Sequence, residues 1–176
     1  MSTRNLLLSL ALTAVFGAGT ALAETPGLGK TITEADIKPW NLDVLPDGTN
    51  MPPGSGTPAQ GAPIYAQKCA VCHGEKGEKP APGYAALVSP PKFDRIDSFK
   101  SVTYYEFATT LFDVIRRSMP YTTPRTLTDN EVYAVSAYIL SLNKIIGEND
   151  VMDAQSLPKV KMPNAGKFIV RFPDRI

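Results

Sequence analysis

Cys69-Ala70-Val71-Cys72-His73 places both cysteines and the one histidine of a 176-residue chain within five consecutive positions. That concentration decides the reading. A zinc site would need a further ligand such as a carboxylate, because the chain has no other Cys or His. A thioredoxin-type redox pair needs no histidine after its second cysteine and sits in a βαβ context, which this sequence does not show. Two cysteines also cannot build a disulfide scaffold. In the C-x-x-C-H arrangement, both thiols add to the vinyl groups of a haem and the adjacent histidine is placed beneath the iron as proximal ligand. One such motif implies one covalent haem c held by Cys69, Cys72 and His73.

A second axial ligand is sought downstream. Met119, followed by Pro120, lies far enough beyond His73 for the chain to return across the opposite haem face. A thioether is a soft ligand, and Met/His ligation raises the potential of the iron. Met51, before the motif, and Met152 and Met162, in the tail, are the rival methionines. Methionine is more often core filler than ligand, but the paired His73 and the following proline favour Met119.

Outward from the motif, three helical patterns can be placed. The first, over 61–68, has Pro63 near its first turn and leads into Cys69. The second follows Thr103, with Glu106 three residues on as a capping box, and sets Phe107, Ala108, Leu111, Val114 and Ile115 on one face as far as about Arg117. The third follows Thr128, with Glu131 three residues on, and carries Val132, Val135, Ile139 and Leu142 along an apolar stripe before Gly147. No strand of convincing alternation appears in the middle of the chain, so the class is all-α. Residues 74–101 are proline-rich with almost no helix signal, and three short helices make a thin core. A haem at the centre supplies the missing mass.

The flanks read differently. Arg4, the apolar run 6–16 and Ala21-Leu22-Ala23 have the form of a cleaved export signal over 1–23, with no later segment of membrane-spanning length. Residues 24–60, punctuated by Pro and Gly, form an extended arm in which Trp40 is expected to pack onto the domain. Residues 61–147 form the helical domain and 148–176 a tail. With 18 basic against 17 acidic residues, no strongly basic face marks a nucleic-acid binder. The tail from 158 to 176 is locally basic, with Lys159, Lys161, Lys167, Arg171 and Arg175 against Asp174.

Gly61-x-x-x-Tyr65-x-x-x-Cys69-x-x-Cys72-His73-Gly74, then Arg117-Ser118-Met119-Pro120, then Leu127-Thr128-x-x-Glu131-Val132-x-Ala134-Val135-x-Ala137-Tyr138-Ile139-Leu140 together resemble a class I cytochrome c. The resemblance implies three main helices around a covalent haem. It also implies that the first and last helices cross closely, with Gly61 and Tyr65 meeting Val135 and Tyr138. A proline carbonyl between the motif and the second helix would support the histidine ring, with Pro82 first and Pro80 next. The arm, from Trp40-x-x-x-Val44-x-Pro46-Asp47-Gly48 to Thr57, and the tail 157–164 are similar to the cytochrome subunits of bacterial sulfite dehydrogenases and of the Sox sulfur dehydrogenase.

That narrower resemblance implies a periplasmic monohaem electron carrier rather than an enzyme. Its partners would be a molybdenum-containing sulfite dehydrogenase catalytic subunit and a downstream cytochrome or oxidase. The alternatives are a cytochrome serving another periplasmic dehydrogenase, or a haem enzyme with a displaceable sixth ligand.

Overall fold

The computed structural model describes residues 28–88 and 101–169. The expected export signal, Pro90 and Pro91, and the basic end beyond 169 lie outside the described residues. The chain divides into two units after Trp40. In the first, Thr33 caps the short helix α1 (Glu34–Ile37), and the Asp36 carboxylate accepts from the Thr33 N–H at 2.9 Å. Trp40, expected to anchor the arm, is 78% exposed, whereas Val44, four residues on, is buried in the hydrophobic core.

The second unit begins at Asn41. It contains β1 (Ser55–Gly56), α2 (Pro58–Lys68), α3 (Ala70–His73), α4 (Ala108–Ser118), α5 (Asp129–Leu142) and β2 (Met152–Asp153), with 3₁₀ turns at Val102–Tyr104 and Leu157–Lys159. The fold is mostly helical with one two-stranded antiparallel sheet, Ser55 opposite Asp153 and Gly56 opposite Met152. All three expected helices are present. Helix α5 starts as its sequence dictates: Thr128 Oγ1 accepts from the Glu131 N–H, and the Glu131 carboxylate accepts from the Thr128 N–H at 2.8 Å.

The other two helices begin elsewhere than expected. Helix α2 starts at Pro58, where a missing N–H costs nothing, and its capping box is Thr57 with Gln60. The box expected of Thr103 and Glu106 does not form, because Thr103 is buried in the 3₁₀ turn with its hydroxyl 2.7 Å from that of Ser101. The Glu106 carboxylate instead accepts from the Gly166 N–H, and α4 starts five residues after Thr103, at Ala108.

The crossing of α2 and α5 sets the core. Gly61 lies against the backbone of α5, where a Cβ would stand 2.0 Å from the Ala134 carbonyl oxygen and 2.8 Å from Tyr138 Cβ. The nearest atoms to Gly61 belong to the Ala134 main chain and to Tyr138, and the adjoining Val135 is buried. One turn on, the Tyr65 and Tyr138 rings meet at 5.3 Å, as expected. Phe112 of α4 stacks obliquely on Tyr133 of α5 at 4.5 Å. The start of the tail is part of this core, since Met152, Leu157 and Met162 are all buried.

Candidate functional site

The motif falls at a break between two helices. Cys69 ends α2 and also precedes α3, so Cys72 and His73 follow it by three and four residues within one turn. Positions so spaced share a helix face, which brings two sulfurs and one imidazole together. Helix α3 stops at Gly74, whose φ of +82° turns the chain back sharply. A Cβ there would lie 2.4 Å from the Lys79 carbonyl oxygen, so this turn requires glycine.

The loop after Gly74 folds onto the motif. The Ala81 N–H donates to the Cys72 carbonyl at 2.9 Å, and the N–H groups of Leu87 and Val88 both donate to the Gly77 carbonyl. This brings the Ala85 carbonyl to 2.8 Å from His73 Nδ1. The support expected from Pro82 or Pro80 comes from Ala85 instead, because the Ala81 anchor places the chain three residues beyond Pro82 over the ring. When Nδ1 carries the proton and donates to Ala85, Nε2 keeps its lone pair for a metal. Nothing in the sequence marks Ala85, since any residue supplies a carbonyl.

Burial pushes the Cys69 thiol up to about 11, the opposite direction from that of a reactive redox thiol. Tyr84 stands edge-on to the His73 ring at 6.4 Å. Its hydroxyl hydrogen-bonds Cys72, which raises its own pKa above the ordinary tyrosine value. Cys69 and Cys72 are not joined to each other in a disulfide. Among the described residues no group of three or more His, Cys, Asp or Glu side chains converges to hold a metal ion.

The four candidate methionines separate by burial. Met152 and Met162 are closed in by the tail and core, at 5% and 4% exposed. Met51 and Met119 are half-buried. Met119 caps the C-terminus of α4, its N–H donating to the Ile115 carbonyl at 3.1 Å.

Two half-buried thiols and an imidazole whose Nδ1 is tied to a backbone carbonyl make a donor set that fits a covalently held haem. The fold and the motif define a small helical haem protein of the C-x-x-C-H type. Residues 58–143 match the cytochrome c family, and the chain belongs to it, with the class I fold. This family holds haem c covalently.

The thiosulfate dehydrogenase of Stutzerimonas stutzeri (strain A1501) is 37% identical over 93 residues, covering 52% of this chain and 29% of that protein. The match therefore spans less than a third of that relative's length. The sulfane dehydrogenase SoxCD from Paracoccus pantotrophus superposes with a TM-score of 0.71 at 31% identity, covering 85% of this chain and 74% of that one. Among the described residues no helix is long and apolar enough to cross a membrane.

Proposed function

We propose that this chain is an exported monohaem cytochrome, with haem c attached at Cys69 and Cys72 and His73 and Met119 as axial ligands. It relays single electrons from a separate periplasmic dehydrogenase that oxidises an inorganic sulfur compound to a downstream cytochrome or oxidase. A molybdenum-containing sulfite dehydrogenase is the partner proposed. The observation that carries the reading is the α3 turn, where the Ala85 carbonyl ties Nδ1 of the chain's single histidine beside the two cysteines.

The haem supplies a one-electron couple when bound. The protein's part is to hold it. Cys69 and Cys72 fix its place on the α3 face, and His73 is held in one tautomer by Ala85. Met119 would supply the second protein ligand, which would leave no coordination place for a substrate. Sulfite oxidation removes two electrons, so the chemistry belongs on the partner and this chain cycles twice per turnover. Sequence similarity to a thiosulfate dehydrogenase and structural similarity to a sulfane dehydrogenase support a sulfur-compound donor.

The thiosulfate dehydrogenase similarity also favours a second reading, a haem enzyme whose sixth ligand is displaced by substrate. Stopped-flow reduction of the ferric protein separates the two. Slow reduction by sulfite or thiosulfate alone, accelerated by adding the molybdoenzyme and sulfite, is the expected result. Rapid reduction by either anion alone overturns the relay, and no acceleration by the molybdoenzyme discards that partner.

A further inference from the structure

The loop that holds His73 has no regular secondary structure of its own, yet it must keep one carbonyl oxygen within 2.8 Å of a ring nitrogen. Part of what fixes it comes from a segment 56 residues further along the chain. Asn143, at the C-cap of α5, donates from Nδ2 to the Leu87 carbonyl at 3.0 Å and to the Ile139 carbonyl at 2.9 Å. Leu87 is two residues beyond Ala85, and its own N–H is tied to Gly77 at 2.8 Å. A connected path therefore runs from the end of α5 through the Asn143–Leu87 hydrogen bond and the backbone of 85–87 to the Ala85–His73 contact.

The orientation of the Asn143 amide is determined by its neighbours. Both groups it meets are carbonyls, so the NH₂ must face them, and the amide oxygen is left buried without a hydrogen-bond partner. A buried orphan acceptor costs stability. An aliphatic residue of similar size would avoid that cost but would lose the grip on Leu87.

We propose that Asn143 is a positioning residue for His73: by holding the Leu87 carbonyl it sets the Ala85 carbonyl against Nδ1, and so fixes the tautomer and the donor strength of the imidazole. The inference rests on His73 being the iron ligand. A hydrogen bond from Nδ1 to a carbonyl makes the ring a stronger donor and favours the ferric state. Loosening it raises the reduction potential.

The test uses the haem-loaded protein and three variants. Asn143→Leu removes the donor, Asn143→Asp keeps the shape but puts an acceptor against two carbonyls, and Leu157→Ala destabilises a buried site remote from the loop. Because the chain has a single histidine, its ring resonances in the ferrous protein are unambiguous. Strong haem ring-current shifts on them mark ligation in the parent protein, and their absence overturns the ligand assignment and this proposal together.

With those shifts present, either Asn143 variant is expected to speed solvent exchange of the Nδ1 proton at least about tenfold. Each should also move the ferric/ferrous equilibrium towards ferrous by up to roughly tenfold, about 59 mV for one electron. Leu157→Ala should change neither. Unchanged exchange and potential in a folded Asn143 variant, or equal changes in Leu157→Ala, overturn the positioning role while leaving His73 as ligand. Asn143→Asp carries the test if Asn143→Leu does not mature.

Discussion

Gly61→Ala is the substitution that the α2–α5 crossing should resist most. The added methyl would lie 2.0 Å from the Ala134 carbonyl oxygen, 2.5 Å from its carbonyl carbon and 2.8 Å from Tyr138 Cβ. Carbon atoms in contact prefer about 3.5–4.0 Å, so the helices must separate locally by roughly 1.5 Å. Overpacking of a close-packed core costs about 1–3 kcal/mol, and the upper end applies because backbone cannot rotate aside. Opening the crossing also loosens the Tyr65–Tyr138 pair, a contact of about 0.5–1.5 kcal/mol. Against this, replacing Gly by Ala inside a helix returns about 1 kcal/mol. The net loss is about 2.5–3.5 kcal/mol, which for a chain of this size lowers Tm by roughly 5–14 °C. Urea unfolding of the haem-loaded protein measures it. The reasoning also requires that Ala134→Gly fail to rescue Gly61→Ala, because the closest obstacle is main chain rather than a side chain. A Gly61→Ala protein as stable as the parent, or a full rescue by Ala134→Gly, would refute it.

Met119→Ala is expected to abolish the near-infrared Met–Fe(III) band, lower the potential and open the reduced iron to carbon monoxide, whereas Met162→Leu, in the closed core, should leave all three unchanged; absorption spectra and titration check both. Glu131 is held below its ordinary value of 4.5, first by the Thr128 N–H and then by Lys68. Its contribution to stability is therefore complete above that value and disappears as pH falls through the lowered folded value, and Glu131→Gln should flatten the acid limb of a stability–pH profile. Ser136 is fully buried with its hydroxyl unpartnered, so Ser136→Ala should be neutral or stabilising by up to about 1 kcal/mol in the same unfolding assay.

The parts of the fold that are legible in the sequence are those governed by local chemistry. Thr128 and Glu131 cap α5 because the Glu131 carboxylate can serve two donors at once, one oxygen taking the Thr128 N–H and the other Lys68. Thr103 and Glu106 have the same spacing but other partners: Ser101, two residues away, takes the hydroxyl, while the distant Gly166 takes the carboxylate and Phe107 bridges to Lys161. Long-range pairing overrides the local cue there. Thr57-Pro58-x-Gln60 is a complete helix start that a proline- and glycine-rich setting disguises as arm. At the site, the motif is visible because its side chains carry the chemistry. The Ala85 carbonyl is invisible because main chain carries it, and Asn143 reads in sequence as no more than a helix stop.

Both candidate axial ligands stand at helix C-termini, His73 as the last residue of α3 and Met119 as the cap of α4. A helix leaves its last carbonyls without internal partners, and the chain beyond is free to move unless something outside holds it. Each end here is held from a different segment. At α3, the Tyr65 hydroxyl donates to the Gly74 carbonyl at 2.9 Å, and the 77–88 loop closes over His73. At α4, the arm lies across the last turns: the Val44 N–H donates to Asp113 at 3.3 Å, Arg116 reaches the Leu42 carbonyl, and Arg117 pairs with both Asp113 and Asp43. Arg116 also joins that turn to Asp129 at the start of α5 at 3.0 Å. Exposed ion pairs of this kind are individually weak, but the Asp113 carboxylate is largely buried and ties backbone and guanidinium together. The arm thus does for the Met119 end what the proximal loop and Asn143 do for the His73 end, which explains why so short a helical core is built with long, proline-rich connections that fold back onto it.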